Sequence, residues 1–259
     1  MADFTHQAYS DYLHALKIST GKFLRFDEYF ELQQKPEKFC LIRHDVDRLP
    51  LRALKMARLE NELGIVSTYY FRKKPYTFKP EIIREIASLG HEIGYHYENL
   101  SDTNGNFDAA LEDFRNNLRE FRKITEVKTC AMHGQPLKPY DNRDLWRNEK
   151  NMKILQSELR ILGEVYLNID YSDIAYINDT GRNWTSGQSN RRDKVNSQIE
   201  ADFSSGESLL QYLQGKPHNK ICFQIHPERW VSGAPAWLAQ YLFDEATNYA
   251  KILFSILRK

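Results

Sequence analysis

His44, Asp45 and Asp47 put three ionisable side chains into four residues, directly after the apolar run Phe39, Cys40, Leu41, Ile42. A run of that length and composition suits a strand buried on both faces. A parallel strand delivers the acids at its end to the carboxyl edge of its sheet, where α/β proteins place their active sites. Other stretches end in the same way: HEIGYHYE brings His96 and Glu98, VKTCAMH brings His133, and KICFQIH brings His226. In a barrel such ends converge on one rim. Asp, His and Glu without cysteine make the donor set of a catalytic zinc or similar divalent ion, with one coordination position left for water. The ion lowers the pKa of that water and a second carboxylate takes the proton. A His on the far side can then protonate a leaving group.

The elements that must carry these residues alternate along the chain. Helix-like apolar spacing at 9–16 and 26–32 predicts a small N-terminal helical cap. A strand at 38–44 leads to Pro50 and a helix stopped by Gly64, and 65–71, β-branched and aromatic, reads as a strand. Pro80 opens a helix that Gly90 ends; 91–96 is a short strand, 107–125 an amphipathic helix and 127–133 a strand. Further on, 151–163 reads as a helix, 165–170 and 174–179 as strands, and 180–201 as a long polar loop. A short helix at 205–215, a strand at 220–226 and a closing amphipathic helix at 236–257 complete the chain. Such alternation implies parallel strands joined by right-handed crossovers, in a barrel or an open doubly wound sheet.

No repeat or linker divides the 259 residues, so one domain over 1–259 is expected. Lys plus Arg number 36 against 35 Asp plus Glu, and a net charge of +1 favours neither nucleic acid nor an acidic membrane as partner. No apolar run has the length of a membrane span, and the opening residues MADFTHQAYSDY lack the regions of a signal peptide. Cys40, Cys130 and Cys222 lie in or beside apolar runs and read as buried thiols of a reducing compartment. The expectation is a cytoplasmic protein.

Taken in order, HDVD, GHEIGYHYENL, MHGQP and FQIHPERW make a pattern that resembles the metal-dependent polysaccharide deacetylases of the NodB-homology type. The resemblance runs from about residue 38 to about 230 and rests chiefly on GHEIGYH. It implies a distorted (β/α) barrel of about seven parallel strands that removes acetyl groups from N-acetylated sugars. By position, it implies Asp45 as the base, Asp47 and His96 as metal ligands, and His226 as the acid. The chain departs from that family in two places. Val46 separates acids that are adjacent in the family, and Leu100 stands where a second metal His is usual. Alternation along an extended strand still brings Asp45 and Asp47 to one side. His133 is the favoured third ligand, with Glu98 as the alternative or as a group that orients the ligands. His133 itself occupies a strand end where the family commonly has an Arg that orients the base.

Other residues have plainer expected roles. His44 should hydrogen-bond the turn around the acids, His91 should be structural, and Glu92 should pair with an Arg inside the barrel. Arg43 is expected, ahead of Arg72, to reach the acids and to line the substrate site. Asp179, Arg182 and Trp184 in the long loop, and Trp230 after His226, have the chemistry of a sugar subsite: charged groups for hydroxyls and aromatic faces for a ring. The expected activity is a Zn²⁺-dependent hydrolase that removes an acetyl, formyl or other acyl group from an N-acylated sugar. Its substrate would be a nucleotide- or lipid-linked precursor for surface polysaccharide. The alternatives are a non-catalytic sugar-binding relative, a glycosyltransferase using Asp-Val-Asp, and a glycoside hydrolase working with two carboxylates and no metal.

Overall fold

The computed structural model describes residues 3–135, 138–185 and 194–257, the last seven by backbone only. In chain order the elements are α1 (His6–Thr20), β1 (Phe23–Leu24), α2 (Phe26–Glu31), β2 (Phe39–Val46), α3 (Pro50–Glu62), β3 (Thr68–Phe71), α4 (Pro80–Ser88), β4 (Glu92–Tyr97) and α5 (Asn99–Asp102). They continue with α6 (Phe107–Arg122), β5 (Thr129–Met132), α7 (Asp144–Arg147), α8 (Glu149–Lys153), β6 (Gly163–Glu164), β7 (Ala175–Asn178), α9 (Gly206–Gln214), β8 (Lys220–Ile225) and α10 (Ala234–Leu257). Pro50 and Pro80 each sit in the first turn of a helix, where the missing N–H costs nothing. The buried positions of α6, Ala110, Leu111, Phe114, Leu118 and Phe121, follow the amphipathic spacing read from the sequence.

Seven strands in the order β6-β5-β4-β3-β2-β8-β7 form one sheet curled into a half-barrel, and β1 adds to β2. Every pairing in it is parallel. This is the distorted barrel expected. All eight residues of β2 are buried, and alternation divides them between two apolar clusters. Phe39 and Leu41 join Phe26, Tyr70 and Cys222. Cys40 and Ile42 join Tyr9, Tyr12, Met56 and Phe223 beneath α1 and α3. Of the N-terminal helices, α2 meets the amino ends of the strands, where the Phe26 and Asp27 N–H groups donate to Thr68 Oγ1 and Glu92 Oε2 (both 3.0 Å). α1 packs against the outer layer, so α2 alone provides the cap.

Two expected elements differ. The stretch 165–170 turns instead of extending, because the Glu164 carboxylate accepts the N–H groups of Tyr166 (2.8 Å) and Leu167 (3.0 Å) and curls the chain back. The helix expected at 151–163 is α8 continued by a π turn, Ile154–Glu158, and Arg160 in left-handed backbone (φ 53°) ends it before β6. Residues 186–193 of the long loop lie outside the described residues. Among the described residues no helix is long and apolar enough to cross a membrane.

Candidate metal centre

At the carboxyl end of β2 the Asp47 N–H donates to the Asp45 carbonyl (3.1 Å), a tight turn that keeps both acids on the inner side. Asp47 Oδ1 stands 3.4 Å from His96 Nε2 and 3.4 Å from His133 Nε2. One donor atom from each of the three lies within 4.8 Å of the other two. Both imidazoles are fixed by their far nitrogens. His96 Nδ1 donates to the Ala131 carbonyl (2.9 Å), and His133 Nδ1 donates to Glu98 Oε2 (2.9 Å), so both Nε2 atoms turn towards Asp47. Asp47 Oδ1 is buried and makes no hydrogen bond among the described residues.

Donors about 2.0–2.2 Å from a tetrahedral zinc ion stand about 3.4 Å apart. The spacing, the orphaned carboxylate oxygen and the two oriented imidazoles therefore fit a divalent ion held by Asp47, His96 and His133. Glu98 is not one of the three. It accepts from His133, from Arg72 Nε (2.9 Å) and from Gln135 Nε2 (2.6 Å), the position of a carboxylate that orients a ligand imidazole. Burial works against ionising Glu98, but the His133 hydrogen bond, Arg72 and Lys74 outweigh it and hold the carboxyl far below its usual range. Burial likewise opposes a charged His133, yet Asp47 and Glu98 on either side draw it up to about 9.

Asp45 lies beside this group, its Oδ2 3.6 Å from His96 Nε2. Arg43, two residues back on the same face of β2, grips it with Nε on Oδ1 (2.7 Å) and Nη2 on Oδ2 (2.8 Å), and Gln224 Nε2 adds a third bond (2.8 Å). Desolvation opposes the charge on Asp45, but Arg43, His96 and His226 keep it below the ordinary carboxylate range. Arg43 is 0 % exposed and lies over the Tyr166 ring (4.3 Å to its centre). It reaches the acids as expected, but full burial and its two bonds to Asp45 leave it no substrate surface. Tyr70 packs nearby across Gly94; a Cβ there would stand 2.2 Å from the Tyr70 ring, which is why the GHEIGYH motif has glycine at this position.

His226 follows Ile225, which pairs with His44, so it sits level with Asp45 on the neighbouring strand. Its Nδ1 donates to Asp179 Oδ1 (2.6 Å), and its backbone N–H also reaches that carboxylate. Burial and Arg229 disfavour the imidazolium; Asp179 prevails and raises His226 to about 9. Trp230 Nε1 donates to Asp179 Oδ2 (2.9 Å). Trp184 stacks on Phe4 (5.3 Å) and Phe223 (5.8 Å) and is 3 % exposed. Arg182 Nη1 bonds the Arg229 carbonyl (3.1 Å) and Asp244 (3.2 Å). The four residues expected to meet a sugar are thus buried and partnered within the protein. Asp179 and Trp230 support His226, and Trp184 and Arg182 pack behind them.

His44 does not reach the turn around the acids. It points to the outer face of β2, stacks on Tyr69 (4.1 Å) and meets Glu60 Oε1 at 2.6 Å. Glu60 also accepts from Tyr9, from Ser67 Oγ (2.6 Å) and from Tyr69 (2.9 Å). This buried hub was missed, although its spacing from Ala53, Met56 and Ala57 on the apolar side of α3 was the available signal. His91 is structural, with Nδ1 taking the Ser67 N–H (3.2 Å) and Nε2 on the Ala57 carbonyl (3.0 Å). Glu92 meets the Thr68 (2.7 Å) and Thr129 (2.5 Å) hydroxyls where an Arg was expected. Burial and then Asp27 raise it to about 7. Glu228, buried beside His226, was also missed.

By sequence the chain matches no family model and no curated protein. In structure it is similar to a CE4 family pseudoenzyme from Bacillus anthracis, with 12 % identity over 83 % of this chain and a TM-score of 0.47. It is similar to a family 4 carbohydrate esterase from the same organism, with 13 % identity, 92 % of this chain against 86 % of that one, and a TM-score of 0.43. A third such structure is a Streptococcus mutans CE4 esterase, with 11 % identity, 90 % of both chains covered and a TM-score of 0.47. The chain spans 63 % of the length of the first of these. The likeness is one of fold, and the roles of residues rest on the geometry above.

Proposed function

We propose that this protein is a metal-dependent hydrolase that removes an acyl group, acetyl or formyl, from the nitrogen of an N-acylated sugar. The observation that carries the reading is the convergence of Asp47, His96 and His133 beside Asp45 and His226 at one end of the barrel. Two imidazoles and a carboxylate suit zinc. When bound there, a divalent ion supplies a lowered pKa for water and an electrophile for the acyl oxygen.

The chain's own groups do the rest. Asp45, kept ionised and aimed by Arg43 and Gln224, takes the proton of the attacking water. His226, charged at neutral pH and held at Nδ1 by Asp179, gives its Nε2 proton to the departing amine. Glu98 fixes the ring of His133, and Arg72 fixes Glu98. Three buried, unbonded cysteines suit a reducing compartment, and within one the fitting substrates are nucleotide- or lipid-linked sugar precursors.

The test is metal analysis of the purified protein and of Asp47→Ala, with acetate and formate release measured on N-acetylglucosamine oligomers and on a nucleotide-linked N-acyl sugar. Stoichiometric metal in the wild type alone, with acyl release that chelation stops, is the expected result. Release that survives complete removal of metal would overturn the reading. Metal and sugar binding without release would identify a non-catalytic relative instead.

A further inference from the structure

The turn after His226 carries a carboxylate that the mechanism above leaves idle. Glu228 sits in the 3₁₀ turn Pro227–Arg229, where the Arg229 N–H donates to the His226 carbonyl (3.0 Å) and fixes the turn relative to the imidazole. The Glu228 side chain is 3 % exposed. Its backbone carbonyl takes a hydrogen bond from Arg52, so the turn is anchored from below. The carboxylate itself is poorly served. Oε1 is 3.6 Å from Arg48 Nε, longer than a hydrogen bond, and Oε2 is buried with no hydrogen-bond partner among the described residues.

Glu228 lies close to the site, two residues after His226 and against Arg48. Arg48 directly follows Asp47 in the chain, and burial first, then the Asp47 carboxylate, push the Glu228 carboxyl up to about 7. A buried carboxylate oxygen without a donor is destabilising, and such groups in native structures call for a specific explanation. His226 and Arg229 also favour its charge, but Arg48, the cation 3.6 Å away, is 30 % exposed and divides its contacts between Glu228, Asp244 (3.3 Å) and the Phe243 ring (4.1 Å). Its hold on Glu228 is loose enough to be exchanged for another donor.

We propose that Glu228 is a substrate-binding residue, its Oε2 accepting a hydrogen bond from a ring hydroxyl or the acylamino N–H of the sugar whose nitrogen His226 protonates. The proposal rests on the deacetylase reading and adds to it what orients the sugar. A small aryl acetate offers neither donor, so the two substrate types separate this role from the chemistry common to both.

The experiment compares kcat/KM for N-acetylglucosamine oligomers and for 4-nitrophenyl acetate in wild type, Glu228→Ala and Glu228→Gln, with metal content and Tm recorded alongside. The expected result is a sugar-to-aryl ratio about 10- to 100-fold lower in Glu228→Ala, the scale of one lost charged hydrogen bond. Glu228→Gln, which keeps an acceptor oxygen, should lie between. If both substrates fall together, with lost metal or a lower Tm, Glu228 is structural and the proposal is overturned. An unchanged ratio overturns it as well. A wild type inactive on both substrates defeats the deacetylase reading itself, and this proposal with it. Should Glu228→Ala fail to fold, the ratio in Glu228→Gln decides alone.

Discussion

Glu98 Oε2 lies 2.9 Å from His133 Nδ1, while the opposite nitrogen of the same ring stands 3.4 Å from Asp47. One imidazole thus links a carboxylate that faces the cation position to one that does not. The alanine variants should follow this order. Asp47→Ala, His96→Ala and His133→Ala lose stoichiometric metal, whereas Glu98→Ala binds it about 10- to 100-fold more weakly. Titration against a competing chelator checks this. If Glu98→Ala is metal-free while His133→Ala is loaded, the two roles are reversed.

His226 bears on the alkaline side of the pH profile. The Asp179 carboxylate, against burial, raises the imidazole to about 9, so the proton is present below that pH and lost as pH rises through it. Turnover should therefore decline above about pH 9. Asp179→Asn removes the charge that raises it, so the decline should begin at least a unit lower and the maximal kcat should drop about 100-fold. A limb that does not move in Asp179→Asn belongs to another group.

Arg43 and Asp45 form a pair with almost no exposure, and removing one partner leaves the other charge buried. Arg43→Ala should cost about 3–5 kcal/mol of stability in denaturant unfolding. Arg43→Met should cost the same or more, since packing without charge leaves Asp45 unpaired. Loss of substrate affinity with full stability would instead put Arg43 on the sugar.

Acid stability should depend on Glu60. Burial opposes its charge, but His44, then His91 and the Ser67 hydroxyl, hold the carboxyl down to about 2. A lowered pKa contributes stability above the unfolded value, about 4.5, and that contribution is lost as pH falls towards 2. Glu92, raised to about 7, runs the other way, its contribution present below about 4.5 and gone by pH 7. Glu60→Gln should thus flatten the acid limb of stability and lower stability at pH 7, whereas Glu92→Gln should raise it there. Unfolding curves from pH 2 to 8 measure both.

Much of this site was legible because strand ends are legible. Short apolar runs ending in Asp or His mark a carboxyl edge, and parallel order then brings Asp47, His96, His133 and His226 together. The choice between His133 and Glu98 was not legible, since both lie close enough and only ring orientation separates them. VYLNID looked like a strand because its pattern does not register that Glu164, one residue earlier, caps the N–H groups that a strand would need. Trp184, Trp230 and Asp179 looked like a sugar platform because the sequence does not disclose that Phe4, far upstream, packs against both Trp rings. Glu228 was in plain view beside His226, but an orphaned oxygen is visible only in three dimensions.

β2 is hydrogen-bonded along both edges, to β8 on one and to β1 and β3 on the other. Its amides over 39–46 should be among the last to exchange with deuterated solvent, released only when the whole molecule opens. Asp45, carried by that strand, should then keep its place until the molecule unfolds.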